Sequence, residues 1–505
     1  MLRSIKQTSK DSIVYGLGNM AVKVIGFILI PLYTNPGYFS VEDFGIMTML
    51  DLSSLVLISL MASALPQSLL RWYWDKEHLK DQKQIFFMSL SAQIIVSLLF
   101  LVVLLPLTGQ ISVLLFNTAD WSVTIRFMII ATALQALNNI INTLMRVQSK
   151  PALYTAANLS KLIVVLLLTI FLIIYKNTGL KGIYIAQVTG NLLFIILLSG
   201  YTLRNCSFSF NLKIFRSMSS YGFPLMLANF SAAMLAAIDR YSLNSLALLK
   251  FVAIYSLAFK IASVLKLVIV DSIKLAVLPL VIRKIDTPGD KRFYSKTMLY
   301  SSFVLMTGII GISLFAYEII RLIARSEVFW EAYVLVPLLS VSVFFVNMRE
   351  TTSYGLIIRK KTATLGVIVF ISSILNILLN ILLIPKFNVL GAASATIVTN
   401  LLYWLACYYF SQKVFFVPYE KRKVLVLFLV GIILSFSGLF LTDLQLLPRL
   451  LLKAGIIISF PFILYFFRFY ETAELLYIKG FVVKWSNLKK FRDNLRSLKN
   501  GYNEE

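Results

Sequence analysis

The sequence is short of the residues from which metal centres, disulfides and soluble surfaces are built. Its 505 residues include two cysteines and one histidine, and Cys206, Cys407 and His78 lie far apart, which argues against a disulfide framework or a zinc site. Charged residues make up only 14% of the chain, against roughly 25% in soluble domains. It contains no phosphate-binding glycine loop and no catalytic triad or carboxylate pair. We therefore expect no enzyme activity, no cofactor and no metal.

Long apolar stretches fill the chain instead, since 59% of its residues are hydrophobic. A stretch of about 20 apolar residues spans the hydrocarbon core of a bilayer as a helix. The sequence therefore predicts an all-α polytopic membrane protein with about 14 transmembrane helices. We place the spans at 11–35, 42–66, 84–107, 121–145, 152–175, 179–201, 217–241, 250–276, 297–322, 332–357, 363–385, 390–412, 424–442 and 448–468.

The excess of positive charge, +25 in all, follows the predicted topology. Most lysines and arginines fall in alternate loops and in the C-terminal tail, and few fall in the opposite loops. Cytoplasmic loops carry such an excess. We therefore expect a multi-pass membrane protein with both termini in the cytoplasm, and no nucleic-acid partner.

An internal repeat divides the chain into two halves. Residues 182–191 resemble 391–400, Glu42 and the residues after it resemble the stretch from Lys250, and 15–16 resemble 221–222, all at a shift of just over 200 residues. Two units with an even number of helices are parallel and are typical of alternating-access transporters. We predict two six-helix lobes at 1–203 and 204–416, a further helix pair at 417–470 and a basic cytoplasmic tail at 471–505.

Charged residues inside the apolar spans are the candidate site. The stretch 250–283 carries Lys260, Lys266, Asp271 and Lys274 on one side of a helix. A charge in the centre of a bilayer costs about 2.5–3.5 kcal/mol, so such residues usually face a wet cavity or a partner. Under the repeat, Asp51 of the second span falls beside Lys260 of the eighth.

The predicted cavity carries a net positive charge and should attract an anionic ligand. Two simpler interpretations stay open: Lys274 reaches the membrane surface, and the remaining charges form structural pairs between helices. The candidates for anion binding are Lys23, Arg240, Lys260 and Lys266, and those for ion coupling or charge pairing are Asp51, Asp239, Asp271, Arg349 and Glu350.

Four motifs resemble those of a known family. Residues 375–400 read LNILLNILLIPKFNVLGAASATIVTN, and the stretches 30–50, 65–75 and 252–261 are further matches. Together they resemble the Wzx-type polysaccharide (O-antigen repeat-unit) flippases of bacteria, which belong to the multidrug/oligosaccharidyl-lipid/polysaccharide exporter superfamily. Asn388 stands where that family usually has glycine. Arg71 matches a recurrent basic position of the family, which adds it to the candidate substrate ligands.

The resemblance implies a V-shaped bundle in the bacterial inner membrane that moves an oligosaccharide on undecaprenyl pyrophosphate from the inner to the outer leaflet. It implies a polysaccharide polymerase and chain-length proteins as partners in O-antigen or capsule synthesis. We further expect Asp51, Asp239 or Asp271 to couple this cycle to an H⁺ or Na⁺ gradient. The last helix pair would hold the lipid tail, as in relatives that flip the peptidoglycan precursor. Membrane lipid and the lipid-linked glycan are the expected ligands.

Three alternatives remain open at this point. A drug or cation exporter of the same superfamily should have acidic residues, not lysines, at mid-depth. A membrane polymerase or ligase should have a large extracytoplasmic loop with catalytic residues, and no such loop occurs. A flippase for the peptidoglycan lipid precursor is close in mechanism and is not separated by these features.

Overall fold

A computed structural model of the protein describes residues 27–283, 285, 287–359 and 361–476. Within these ranges the chain is helical and has no strand, and 12 helices are long and apolar enough to cross a membrane. The predicted all-α polytopic class is confirmed. The main helices are α1 (Val41–Met61), α2 (Gln82–Leu104), α3 (Ser122–Val147), α4 (Pro151–Ile170), α5 (Leu180–Leu197), α6 (Leu212–Leu246), α7 (Leu249–Leu265), α8 (Asp290–Leu314), α9 (Leu335–Thr352), α10 (Thr362–Val414), α11 (Lys421–Ser437) and α12 (Leu446–Phe466).

Shorter elements extend or connect these helices. Two π turns matter here because each continues a long helix: Phe171–Tyr175 follows α4, and Lys266–Val270 joins α7 to the helix Asp271–Arg283. The others are the helices Ile30–Tyr33, Leu65–Trp72, Thr108–Phe116, Ser199–Arg204, Ala316–Ile323 and Tyr354–Ile358 and the 3₁₀ segments Lys76–His78, Glu327–Val334 and Gly438–Leu441.

Helix α10 crosses the membrane twice, because it folds back at Asn388. That residue has φ 49° and ψ −124°, and Asn tolerates a positive φ better than most residues. Asn376 Nδ2 donates to Thr399 Oγ1 over 3.2 Å, although the two residues would be over 30 Å apart along a straight helix. The 12 candidate helices correspond to 13 spans when α10 is counted twice. The predicted span 11–35 lies mostly outside the described residues, so the structure agrees with about 14 spans.

Sequence features account for where helices begin and which faces they expose. Ser40 and Asp43 cap each other's backbone N–H at the start of α1, as a capping box. The first half of α10 exposes an apolar stripe that includes Val367, Phe370 and Ile374. In a membrane protein such a stripe faces lipid, whereas in a soluble protein it would be buried.

The two predicted halves meet through α1, which packs against α6 and α7. The closest approach is at Gly45, where a Cβ atom would lie 2.7 Å from the carbonyl oxygen of Leu249. Further along α1, the hydroxyls of Ser53 and Tyr241 are 2.7 Å apart. Helix α1 therefore brings the first half against the helices that carry the predicted charges. The boundaries at 203, 416 and 470 stay predictions.

Candidate functional site

A cavity of about 640 Å³ lies among α6, α7, α9 and the second half of α10. Its wall is mostly apolar and includes Leu235, Phe259, Leu339 and Tyr403. Phe27 is the one lining residue from the first half among the residues that the structure describes. The cavity brings together six of the charged residues predicted from sequence: Asp239, Arg240, Lys260, Lys266, Asp271 and Arg349.

Arg240 is the most buried cation of this cavity, with 3% of its surface exposed. Its guanidinium carbon lies 3.8 Å from the ring centroid of Phe259 and 4.8 Å from that of Tyr255. Nη1 donates to the carbonyl of Ala236 over 3.1 Å, and the Asp239 carboxylate lies 3.9 Å away. Nε has no hydrogen-bond partner among the described residues. Aromatic stacking therefore positions a guanidinium whose donors are only partly used.

Asp239, by contrast, is fully engaged by neutral donors. Its Oδ2 accepts hydrogen bonds from Tyr255 (2.8 Å) and Thr396 (2.6 Å), and its Oδ1 accepts one from Asn380 Nδ2 (3.0 Å). These donors come from α7 and from both halves of α10. These three neutral donors hold the carboxylate in place, and its charge lies 3.9 Å from Arg240 Nη1. Asp239 joins α6, α7 and α10 at the cavity wall.

Lys260 connects the cavity to the first half. Its Nζ lies 5.1 Å from the ring centroid of Phe44 on α1, and Asp51, also on α1, is close enough to interact with it electrostatically. Asp51 accepts a hydrogen bond from the Tyr184 hydroxyl over 3.1 Å. The predicted proximity of α1 and α7 is therefore seen in the structure. Asp51 itself does not line the cavity.

The remaining cavity charges form ion pairs. The π turn at Lys266–Val270 brings Lys266 Nζ to 3.6 Å from Asp271 Oδ1, whereas residues five apart in a regular α-helix diverge by about 140°. Such π-bulges often occur at functional sites. Glu350 accepts from both Arg349 and Lys274 at 2.7 Å. Lys274, considered above as a membrane-surface residue, is thus paired with a carboxylate.

One predicted ligand, Arg71, lies elsewhere. Arg71 is exposed on the helix Leu65–Trp72 and does not line the cavity. Lys23 lies outside the described residues. Glu350 contacts Arg349 but is not in the cavity wall. Within the described part of the chain, no group of three or more His, Cys, Asp or Glu side chains could hold a metal ion.

The comparisons with known proteins now place the chain in a family. The model of a family described as "Polysaccharide biosynthesis protein" matches residues 8–285, more than half of the chain. The chain belongs to this family. An uncharacterized membrane protein of Methanocaldococcus jannaschii is 25% identical over 281 residues, or 53% of this chain. The match spans about half (54%) of the length of that curated relative.

Solved structures show the fold of this polysaccharide biosynthesis family member. The lipid II flippase MurJ in an inward closed conformation has a TM-score of 0.72 at 16% identity, over 90% of this chain and 99% of that one. An inward-facing multidrug transporter of the MATE family has a TM-score of 0.65 at 13% identity, over 82% and 95%. The chain has the fold of these two transporters, and it is a multi-pass membrane protein.

The sequence analysis missed the uncharged part of the site. Tyr255, Phe259, Asn380 and Thr396 position Arg240 and Asp239 but were not singled out. One signal was available: Asn376 and Asn380 stand four residues apart in an otherwise apolar stretch, and a polar pair on one helix face within a membrane usually has partners.

Proposed function

We propose that this protein is a flippase that moves undecaprenyl-pyrophosphate-linked oligosaccharide units from the inner to the outer leaflet of the bacterial cytoplasmic membrane. The observation that carries the proposal is Arg240, a buried guanidinium on the cavity wall whose Nε has no hydrogen-bond partner among the described residues. A diphosphate offers the oxygen acceptors that such a group lacks. Family membership and the flippase-like fold support the same conclusion.

Charge distribution favours an anionic headgroup over a cationic drug. Lys266 is paired with Asp271, and Arg349 shares Glu350 with Lys274. Among the described residues, Arg240 has no carboxylate oxygen closer than 3.9 Å and Lys260 forms no ion pair within 4.0 Å, so these two cations are the proposed ligands of the anion. In this proposal they bind the diphosphate, and the rings of Phe259 and Tyr403 contact the sugars. The lipid tail stays in the membrane alongside α11 and α12.

The mechanism that fits this arrangement is alternating access, in which the two halves move against each other about the interface of α1 with α7. We propose that an ion gradient drives the cycle through Asp239, whose carboxylate accepts hydrogen bonds from the hydroxyls of Tyr255 and Thr396 and from the amide nitrogen of Asn380. H⁺ or Na⁺ would bind there. Asp239→Asn should then abolish the dependence of transport on one of these gradients, and unchanged gradient dependence would exclude Asp239 as the coupling group.

The experiment is genetic rescue in a strain that lacks its own repeat-unit flippase. Lys260→Ala and Arg240→Gln should each abolish surface polysaccharide at normal protein levels. Lys250→Ala is the matched control, because Lys250 is an exposed lysine at the start of the same helix α7 and lies outside the cavity. Normal polysaccharide from the two cavity variants would show that the anion site is wrong.

A flippase for the peptidoglycan lipid precursor is the second candidate, favoured by the high coverage of the lipid II flippase structure. Expression in a strain depleted of its lipid II flippase separates the two functions. Rescue of growth there, without rescue of surface polysaccharide in the first strain, would replace the proposed substrate. Both termini would be cytoplasmic in either case, and a polymerase and chain-length proteins would act next only on the polysaccharide route.

A further inference from the structure

A second cavity, of about 370 Å³, lies where α11 begins and α12 ends. Because α11 and α12 are consecutive membrane-crossing helices, the start of the first and the end of the second lie at the same membrane surface. The wall contains Lys421, Arg422 and Lys423 from α11, Arg468 from the segment after α12, and one acid, Glu420. This pocket is separate from the central cavity and shares no lining residue with it.

The single acid does not neutralise the cations of this pocket. Glu420 is bound by Lys296 of α8 at 2.9 Å and by Lys423 at 2.7 Å. Arg422 and Arg468 are exposed and have no acidic partner among the described residues. Two guanidinium groups that are not paired with an acid in the described part of the chain therefore border one pocket, and both can bind an anionic ligand. Guanidinium groups bind phosphate oxygens through paired hydrogen bonds.

Arg468 occupies a position that usually belongs to glycine. Its φ is 53°, and the chain closes α12 there with hydrogen bonds from Arg468 N to Tyr465 O and from Phe469 N to Leu464 O. This pattern corresponds to a C-terminal cap in which glycine avoids the strain of a left-handed residue. An arginine here adds a charged side chain to the pocket at a cost in backbone strain.

Apolar surface continues from the pocket into the membrane. Leu425 and Leu429, one and two turns into α11, are 57% and 52% exposed, and Phe466 at the end of α12 is 80% exposed. A ligand that fits this pocket therefore has an anionic head at the membrane surface and a hydrocarbon chain beside it. Basic pockets between transmembrane helices at the cytoplasmic side are suited to anionic lipid headgroups.

We propose that this pocket binds the headgroup phosphate of an anionic glycerophospholipid, with an acyl chain along Leu425 and Leu429. Basic residues that only set topology could lie anywhere along the loops. The basic residues of this pocket instead converge from α11 and from the segment after α12 on one cavity, beside the exposed side chains of Leu425 and Leu429. The bound lipid would connect the start of α11 to the end of α12. This site is distinct from the proposed transport cavity, so either proposal can fail without the other.

The test is native mass spectrometry of the full-length protein with dioleoylphosphatidylglycerol and with dioleoylphosphatidylcholine. We expect phosphatidylglycerol to bind more tightly, and Arg422→Gln with Arg468→Gln to weaken its tightest binding about 30-fold, or roughly 5-fold for each charge. Lys76→Gln with Lys80→Gln is the matched control, because it removes two exposed lysines from a loop at the same predicted surface. That pair should change the affinity less than twofold.

Three results would overturn the proposal. Equal binding of the two lipids, or equal losses in the test and control pairs, would show that the pocket does not select an anionic headgroup. Displacement of the lipid by millimolar inorganic phosphate or by farnesyl diphosphate would assign the pocket to a soluble anion or to the carrier lipid. Arg468→Gly removes the charge and the strain together, so it should keep the fold and still lose phosphatidylglycerol affinity.

Discussion

The central cavity and the C-terminal helix pair contain buried cations in opposite electrostatic settings. In the C-terminal pair, Lys453 is fully buried, and both its carboxylate contacts to Glu318 are 2.8 Å long. Arg449 Nε lies 2.7 Å from the same carboxylate, an ion-pair contact without hydrogen-bond geometry. In the cavity, Arg240 is nearly as buried but has a carboxylate only at 3.9 Å and an unpartnered Nε. Removing the acid partner of a buried cation destabilises the fold, whereas a buried cation without a close acid partner is available to a ligand.

The largest expected effect on stability is in the C-terminal pair. Glu318→Gln removes the one acid among the described residues that contacts Lys453 and Arg449, so Lys453 loses its counter-charge while it stays buried. We expect a loss of about 3 kcal/mol in the free energy of unfolding, measured as thermal unfolding in detergent. Glu331→Gln is the control, because Glu331 is exposed near the same end of the molecule. Equal unfolding temperatures for the two variants would contradict a structural role for Glu318.

Asp239→Asn should have a smaller effect on stability, since it alters hydrogen bonds without leaving a buried lysine unpaired. Asparagine replaces one carboxylate oxygen with an NH₂ group, so it cannot accept from Tyr255 and Thr396 on one side and from Asn380 on the other. We expect a loss of roughly 1–2 kcal/mol. Chemical unfolding of the purified variant checks this value. Wild-type stability would mean that Asp239 does not hold α6, α7 and α10 together.

Glu420→Gln should have the smallest effect, because Lys296 keeps Glu471 at 2.6 Å and Glu474 at 3.3 Å. Burial alone would raise the pKa of Glu420, but hydrogen bonds from Lys423 and Lys296 outweigh it and hold the pKa below its usual 4.5. The ionised Glu420 carboxylate therefore stabilises the folded protein above about pH 4.5. This stabilisation is lost as pH falls through the lower folded-state pKa.

We expect the variant to unfold slightly more readily than the wild type at pH 7, by a few tenths of a kcal/mol. The difference between the two unfolding temperatures should shrink as pH falls below 4.5. A difference that grows on acidification would show that folding does not lower the pKa of Glu420.

Sequence alone predicted the charged part of the site, because a charge inside an apolar stretch is costly and therefore conspicuous. Arg240, Lys260 and Arg349 were found in this way. Tyr255 and Phe259 were not, since aromatic residues are common in membrane helices and only packing shows which of them contact an arginine. The helical repeat of 100° per residue also could not predict the π turn that pairs Lys266 with Asp271.

More of the fold than of the site could be predicted from the sequence. Span number and helical class follow from hydropathy, because the bilayer sets the length of each helix. The roles of individual charges do not follow, since they depend on distances between helices. Lys453 illustrates the limit: it lies in an apolar span as Lys260 does, but the position of Glu318 on a separate helix makes it structural. Arg71 was predicted from resemblance and lies outside the cavity wall.

The most direct test of the account is the affinity of the purified protein for farnesyl diphosphate. If Arg240 is reserved for a diphosphate, Arg240→Gln should weaken binding at least tenfold, while its unfolding temperature stays equal to or above that of the wild type. Lys250→Gln should leave the affinity within twofold. Unchanged affinity of the Arg240→Gln variant, or a large loss of its stability, would show that Arg240 is a structural residue and contradict the proposed site.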